Sequence, residues 1–260
     1  MTDNPLGELL RDWRARRKLS QLDLALASDI SARHLSFIET GRSAPSAPVV
    51  DRLAQELAMP MRAHNALRQA AGYAPAHSER PLGDPGLEAA RAIIEQVLTA
   101  HEPFPALAVD RAWNLVAANA ALPLLLDGVD PALLEPPVNV LRIALDPRGL
   151  APRIANFSEW RAHILARLSA QIEASGDAAI EALEAELRAI PYRAPVPPPR
   201  IAGNSIAVPL VLETPHGKLS FVSTTTVFGS PLDITLSELA IEAFFPADRE
   251  TGDKLRAALV

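Results

Sequence analysis

Two serines, Ser20 and Ser31, constrain this chain more than any other feature. Each precedes an apolar segment with helical spacing, where a hydroxyl can accept from the free N–H groups of a first turn. The first segment carries Leu22, Leu24, Ala25 and Ala27 and ends near Ser28. The second carries Leu35 and Ile38 and meets Gly41 just past its end. A three-residue turn joins them, so the two helices must cross closely. Ala25 sits at the expected crossing, where a larger side chain would push the helices apart.

The same spacing rule extends on both sides. Leu6, Leu9, Leu10 and Trp13 mark a helix before this pair. Val49, Val50, Leu53 and Leu57 mark a fourth, stopped near Pro60, and Leu67 and Ala70 a fifth, ended by Gly72. Residues 1–73 therefore read as an all-α five-helix domain. Residues 74–86, with three prolines and two glycines, read as a linker. Residues 87–260 read as a second, α+β domain, so the fold class is multidomain.

Within the second domain, residues 87–100 look helical, and 105–119 read as strand, tight turn, strand. Asn119 is expected to cap a helix through Leu126. Two helices follow over 156–175 and 177–190, the second opened by Asp177. Residues 191–204 carry five prolines and must be an extended connection. SIAVPLVLE and KLSFVSTTTVF are expected to pair antiparallel around a His216-Gly217 turn. Residues 235–244 are expected to be helix, with Thr235 as cap and Glu238 as its capping-box partner.

Length and composition agree with two domains: the chain has 260 residues and hydrophobic residues make up 48%. No apolar run approaches the ~18 residues of a membrane span, so no membrane association is expected. The amino terminus lacks a basic-then-apolar stretch, which points to a cytoplasmic protein. The absence of cysteine excludes disulfides, thiol catalysis and Cys-ligated metals. Net charge is −6 but uneven: residues 1–80 sum to +2 and the remainder to −8. A mildly basic head on an acidic body fits a small nucleic-acid module. No GxSxG, HExxH, GxGxxG or P-loop is present, and no two histidines have i, i+4 spacing. The expectation is a protein that is not an enzyme, with no catalytic residues, cofactor or metal.

Residues 20–43, SQLDLALASDISARHLSFIETGRS, resemble the helix-turn-helix of the Cro/cI-type, Xre-like repressors. The matching features are Ser20-Gln21, Leu24-Ala25, Ile30-Ser31, Leu35, Ile38, Glu39 and Gly41. The resemblance implies that the helix opened by Ser31 enters the major groove of double-stranded DNA. Leu35 and Ile38 take its buried side, which leaves Ala32, Arg33, Ser36 and Phe37 facing outward. Arg33 can contact guanine O6 and N7, and Phe37 a thymine methyl. His34 lies at the edge, toward a phosphate or flanking base. The family uses Gln21 on a phosphate, and Arg42 and Ser43 look like further phosphate contacts. Ser31 completes the DNA-facing set. Glu39 usually pairs in this family with an arginine of the first helix, here Arg14. One module makes few contacts, so a homodimer on an inverted repeat is expected, joined mostly through the second domain. Plainer roles remain open: Arg33 and His34 as solvated side chains, Phe37 packed on a neighbour, and Arg16, Arg17 and Lys18 complementing a helix dipole.

Residues 105–119 resemble the opening of a PAS-like sensor fold. NVLRIALDPRGL (139–150), FSEWRAHILARL (157–168) and FGSPLDITLSELAIEAFFPAD (228–248) resemble the ligand-binding domain of MmyB-like transcription regulators. That resemblance implies a small apolar or acyl, fatty-acid-like ligand. Candidate ligand contacts are Trp113, Leu141, Phe157, Trp160, Phe221 and Phe228, any of which can equally be plain core. Arg142, Arg153 and Arg161 suit a carboxylate. The competing readings are a helix-turn-helix used for protein contact, as in an antitoxin, and an enzyme with an unrecognised site.

Overall fold

In the computed structural model, residues 4–191, 207–215 and 217–258 are described. The chain divides into two units, the first built on the residues up to Glu79 and the second on most of the remainder.

The first unit holds five helices: α1 (Pro5–Arg16), α2 (Gln21–Ala27), α3 (Ala32–Glu39), α4 (Ala47–Glu56) and α5 (Met61–Ala70). Their caps follow the sequence. The Ser20 hydroxyl accepts from Asp23 N in a capping box, and the Ser31 hydroxyl accepts from His34 N. Asp29 adopts φ 51° between α2 and α3, which makes the turn tight. Leu10, Leu24, Ala25, Leu35, Ile38, Val50, Leu53 and Leu67 close one buried core. Of the apolar residues expected on α2, only Leu24 and Ala25 are buried. Leu22 is 57% exposed, and the neighbouring Leu26 is 70% exposed.

A buried carboxylate ties three of these helices together. Glu39, 1% exposed, accepts from Arg14 of α1 at 2.9 and 3.2 Å and from the Gln21 amide of α2 at 2.6 Å. The carbonyl end of α3 is satisfied from α1 as well: Asn4 Nδ2 and Arg11 Nη1 donate to Glu39 O at 3.1 and 2.8 Å. The approach is close enough to require Gly7, because a Cβ there would lie 2.2 Å from Glu39 O.

The second unit is α+β. Its helices are α6 (Glu88–Ala100), α7 (Pro123–Leu126), α8 (Val140–Leu145), α9 (Phe157–Ser175), α10 (Ala178–Ala189), α11 (Ile234–Ser237) and α12 (Arg249–Ala258). Its strands are β1 (Ala106–Val109), β2 (Leu115–Ala118), β3 (Leu210–Thr214), β4 (Gly217–Val227) and β5 (Ala240–Pro246). They form one antiparallel sheet in the order β2-β1-β5-β4-β3. Side chains alternate across it. Leu107 and Val109 of β1 face the larger core with α8, α9 and α10, while Ala106 and Ala108 face Ile94 and Leu98 of α6.

Three expectations change here. Residues 240–246 are not helix but β5, the central strand of the sheet. Its alternating sides face two different cores, Ile241 toward α6 and Phe244 toward the larger core, so sheet burial overrides helical propensity. Thr235 is not a cap, since it lies inside the one-turn α11 and its hydroxyl donates to Arg80 O at 2.6 Å. Asn119 is not a helix cap either. It is buried and bridges strand and helix: its Oδ1 accepts from Ala106 N at 3.0 Å, and its Nδ2 donates to Phe104 O and Leu98 O at 2.8 and 3.2 Å. The proline-rich stretch 191–204 falls, apart from Pro191, outside the described residues.

Removing Arg14 leaves the Glu39 carboxylate buried with Gln21 as its side-chain donor. Arg14→Ala is expected to destabilise the first unit by about 3–5 kcal/mol, the cost of stripping one partner from a buried pair, and adding Glu39→Gln should restore part of that. Hydrogen exchange of α3 amides in the full chain measures this. A loss near zero in the single variant would contradict it.

Candidate DNA-reading face and ligand cavity

The outer edge of α3 is held in place from both ends. Ahead of it, Ile30 N donates to Ala25 O at 3.0 Å, and Arg52 Nη1 donates to Ser28 O at 3.1 Å, pinning the turn to α4. Behind it, Gly41 adopts φ 74°, and the N–H groups of Arg42 and Ser43 both return to Phe37 O at 2.8 and 3.2 Å. Tyr73 Oη then donates to Pro45 O at 3.0 Å, anchoring the following loop.

On this frame Ser31, Arg33 and Arg42 are exposed, and His34, Ser36, Phe37 and Ser43 are half-buried. Ala32 is half-buried and packs against the core, so it offers less outward surface than its spacing implies. The Arg33 guanidinium lies 5.2 Å from the Phe37 ring centroid, one turn along the helix, so the two present a single edge. Neither Arg33 nor Arg42 forms an ion pair with any described residue. Gln21, at the start of α2, is half-buried. Its amide nitrogen gives one hydrogen to Glu39, which orients the group and leaves a second hydrogen to donate.

The second unit encloses a cavity of about 90 Å³ between the sheet and α7, α8 and α9. That is several times the ~10–15 Å³ one water needs. Its wall is mostly aliphatic, with Leu107, Leu125, Leu141, Ile143 and Ile164 among the lining residues. Its polar edge comprises Trp113, Trp160, His163, Arg167, Ser223 and Glu242. Arg167 Nη1 donates to Glu242 Oε2 at 3.1 Å, and its Nη2 pairs with Glu242 Oε1 and donates to Thr225 Oγ1 at 2.6 Å. Thr225 in turn donates to Glu242 Oε1 at 2.7 Å. The same guanidinium covers the Trp113 ring at 4.5 Å. Trp113 has φ 66°, a costly conformation for a bulky residue. It is held by its buried ring, by Trp113 Nε1 donating to Gln171 Oε1 at 2.9 Å, and by Asp110, whose Oδ1 accepts from Ala112 N and Asn114 N.

A family model for the MmyB-like transcription regulator ligand binding domain matches residues 90–258, and one for a helix-turn-helix domain matches residues 5–67. The chain belongs to the MmyB-like transcription regulators. It is accordingly a DNA-binding transcription regulator with a ligand-binding domain. Among solved structures, the clp gene regulator ClgR from Corynebacterium glutamicum is 28% identical, over 38% of this chain and 93% of that one, with a TM-score of 0.24. At that score the likeness carries no weight for the fold. No curated protein matches.

Of the ligand candidates in this MmyB-like regulator, Trp113, Leu141 and Trp160 line the cavity. The others lie elsewhere. Phe157 packs half-buried on the larger core, Phe221 is wholly buried in β4 with its ring 6.2 Å from that of Phe244, and Phe228 packs on the α6 side of the sheet. The three arginines suited to a carboxylate are also committed elsewhere. Arg142 pairs with Glu186 at 2.7 Å, Arg153 donates to Leu125 O at 2.6 Å, and Arg161 donates to Arg188 O at 3.2 Å. Sequence reasoning missed His163, Arg167 and Glu242. The available signal was the i, i+3, i+7 spacing of Trp160, His163 and Arg167, which puts an aromatic and two basic groups on one face of α9.

Burial, and then the charge of Arg167, hold His163 below its ordinary pKa, with Glu242 acting weakly the other way. Its neutral form is thus favoured in the folded state. As pH falls below the ordinary histidine value of about 6.5, the unfolded chain takes up a proton that the folded chain resists, so stability is lost on acidification. Calorimetry between pH 7.5 and 5.5 should show a smaller fall in Tm for His163→Gln than for the native chain. Equal falls would contradict the assignment.

Proposed function

We propose that this regulator binds an inverted-repeat operator as a homodimer in the cytoplasm, with α3 in the major groove. The single observation that carries the reading is the outer edge of α3, where Arg33 and Arg42 stand exposed and without ion pairs to the described residues. An uncompensated cation on a rigid helix edge is suited to bases and phosphates. Arg33, supported on the Phe37 ring, reads a guanine, and Phe37 itself meets a thymine methyl. Ser31, Ala32, His34 and Ser36 complete the groove-facing surface. Gln21, Arg42 and Ser43 hold the backbone and set register. Domain limits of 1–73, 74–86 and 87–260 follow from this division of labour, and the second domain supplies most of the dimer surface.

The cavity of the second domain is the place for a small apolar or acyl ligand. Control requires only that this ligand bind one spacing of the paired heads more tightly than another. A second reading, in which the helix-turn-helix contacts protein, is favoured by one feature: the exposed Leu22 and Leu26 of α2, which a partner would cover.

Selection from a randomised duplex pool supplies the site for the test. At that site Arg33→Ala should cost about 1–3 kcal/mol and relax preference at one base pair. Arg42→Ala should weaken all sequences alike and reduce the salt slope by about 1. Equal loss on random and selected DNA would remove Arg33 from base reading. A pool that yields no enriched sequence would favour the protein-contact reading.

A further inference from the structure

The segment that follows the five helices is not a free linker. Residues 74–80 are exposed apart from His77, which is half-buried. Asn65 of α5 grips the backbone there: its Nδ2 donates to His77 O at 2.8 Å, and its Oδ1 accepts from Ala76 N and His77 N at 2.9 and 3.0 Å. Arg68 Nε, also of α5, donates to Ala74 O at 2.8 Å. The His77 ring completes the hold, its Nε2 lying 3.0 Å from Nδ1 of His64 on α5. His64 Nε2 is in turn 2.8 Å from Asp51 Oδ1 of α4, and Arg68 Nη1 donates to both oxygens of that carboxylate at 2.5 and 2.7 Å. Among the described residues, Asp51 and Arg68 are the charged groups that face the two rings. Further on, Glu79 pairs with Arg62 at 2.6 Å, and Ser78 Oγ donates to Asp233 Oδ2 at 3.0 Å.

This run of contacts can hold only so many protons. Asp51 accepts from His64 Nε2–H. His64 Nδ1 then either accepts from His77 Nε2 or, with His64 charged, donates to it. In both cases at most one ring is protonated. With both charged, two N–H groups would meet head on beside the Arg68 guanidinium, and the one carboxylate in reach is already paired. We infer that residues 74–77 are a pH-sensitive strap, held along α5 by the His64–His77 hydrogen bond at neutral pH and released once both rings carry a proton. His77 sets the direction. Burial, and then the charge of His64, hold its pKa below the ordinary value, with Asp51 opposing and Arg68 adding to the effect. The strapped form therefore resists a proton that the released form accepts. The strap is secure above the ordinary histidine value of about 6.5 and weakens by up to about tenfold per pH unit below it. Release frees four residues, a reach of about 13 Å. That slack widens the spacings open to paired heads, a consequence that rests on the homodimer reading, whereas the strap itself does not.

Backbone amide relaxation by NMR, on the full chain at pH 7.5 and 5.0, tests this. At pH 7.5 the Ala76 and His77 amides are expected to be rigid, with order parameters of about 0.85, and at pH 5.0 to fall below about 0.6. Leu67, buried in the core of the first unit, should stay rigid at both values. His77→Gln, whose amide can still donate to His64 Nδ1 and takes up no proton, should keep the amides of residues 76 and 77 rigid throughout. Rigid Ala76 and His77 amides in the native chain at pH 5.0 would overturn the inference. So would a loosening that spreads to Leu67, which marks unfolding and not release of a strap. A variant that loosens on acidification as the native chain does would overturn it too. The native comparison stands as a test even if His77→Gln fails to fold.

Discussion

The Glu39 carboxylate is the point on which the DNA-reading unit turns. It sits at the last position of α3, out of water, and takes donors from α1 and α2. A carboxylate so buried is tolerable only while those donors stay in place. The three helices are therefore coupled: none can move without exposing or stranding a charge. The presentation of Arg33 and Phe37 to solvent is a consequence, since α3 has one orientation that keeps Glu39 satisfied while Leu35 and Ile38 stay buried. The same carboxylate orients the Gln21 amide at the start of α2.

The second unit uses a related device at its centre. Glu242 is a buried acid on the middle strand, paired with Arg167 from a helix that crosses the sheet. Ser223, Thr225 and Glu242 come from adjacent strands, so the cavity wall is set by strand register. Trp113, held at positive φ under the Arg167 guanidinium, joins the first hairpin to that pair. A ligand entering the cavity would touch the element that ties sheet, hairpin and α9 together, which gives it leverage on the unit's conformation.

The first unit was legible in the sequence because its information is local. Ser20 and Ser31 cap as their positions require, and the periodic leucines fall inside. The Arg14–Glu39 pair came from the family resemblance and is present. What periodicity could not give was the exposure of Leu22 and Leu26, since a two-turn helix has too few residues to define its face. In the second unit the hairpin over 105–119 and the pair β3–β4 were legible from β-branched runs and turns. β5 was not. TLSELAIEAF (235–244) carries a capping-box pattern, Thr235 and Glu238, and helical spacing, and only the place of its second half between β1 and β4 makes that half a strand. That misreading also hid Glu242, because a glutamate in an amphipathic helix reads as wet surface. Asn119 was misplaced for the same reason: its partners, Leu98 and Phe104, are brought to it by the fold.

The most direct measurement is photo-crosslinking with p-benzoylphenylalanine at position 37, in complex with the duplex recovered by selection. The helix edge described above should yield protein–DNA adducts mapping to base edges in the major groove, while the same probe at Val97 of α6 yields none. A complex that forms fully but crosslinks to DNA from position 97 and not from position 37 would mean that another surface holds the duplex and that α3 is not the reader.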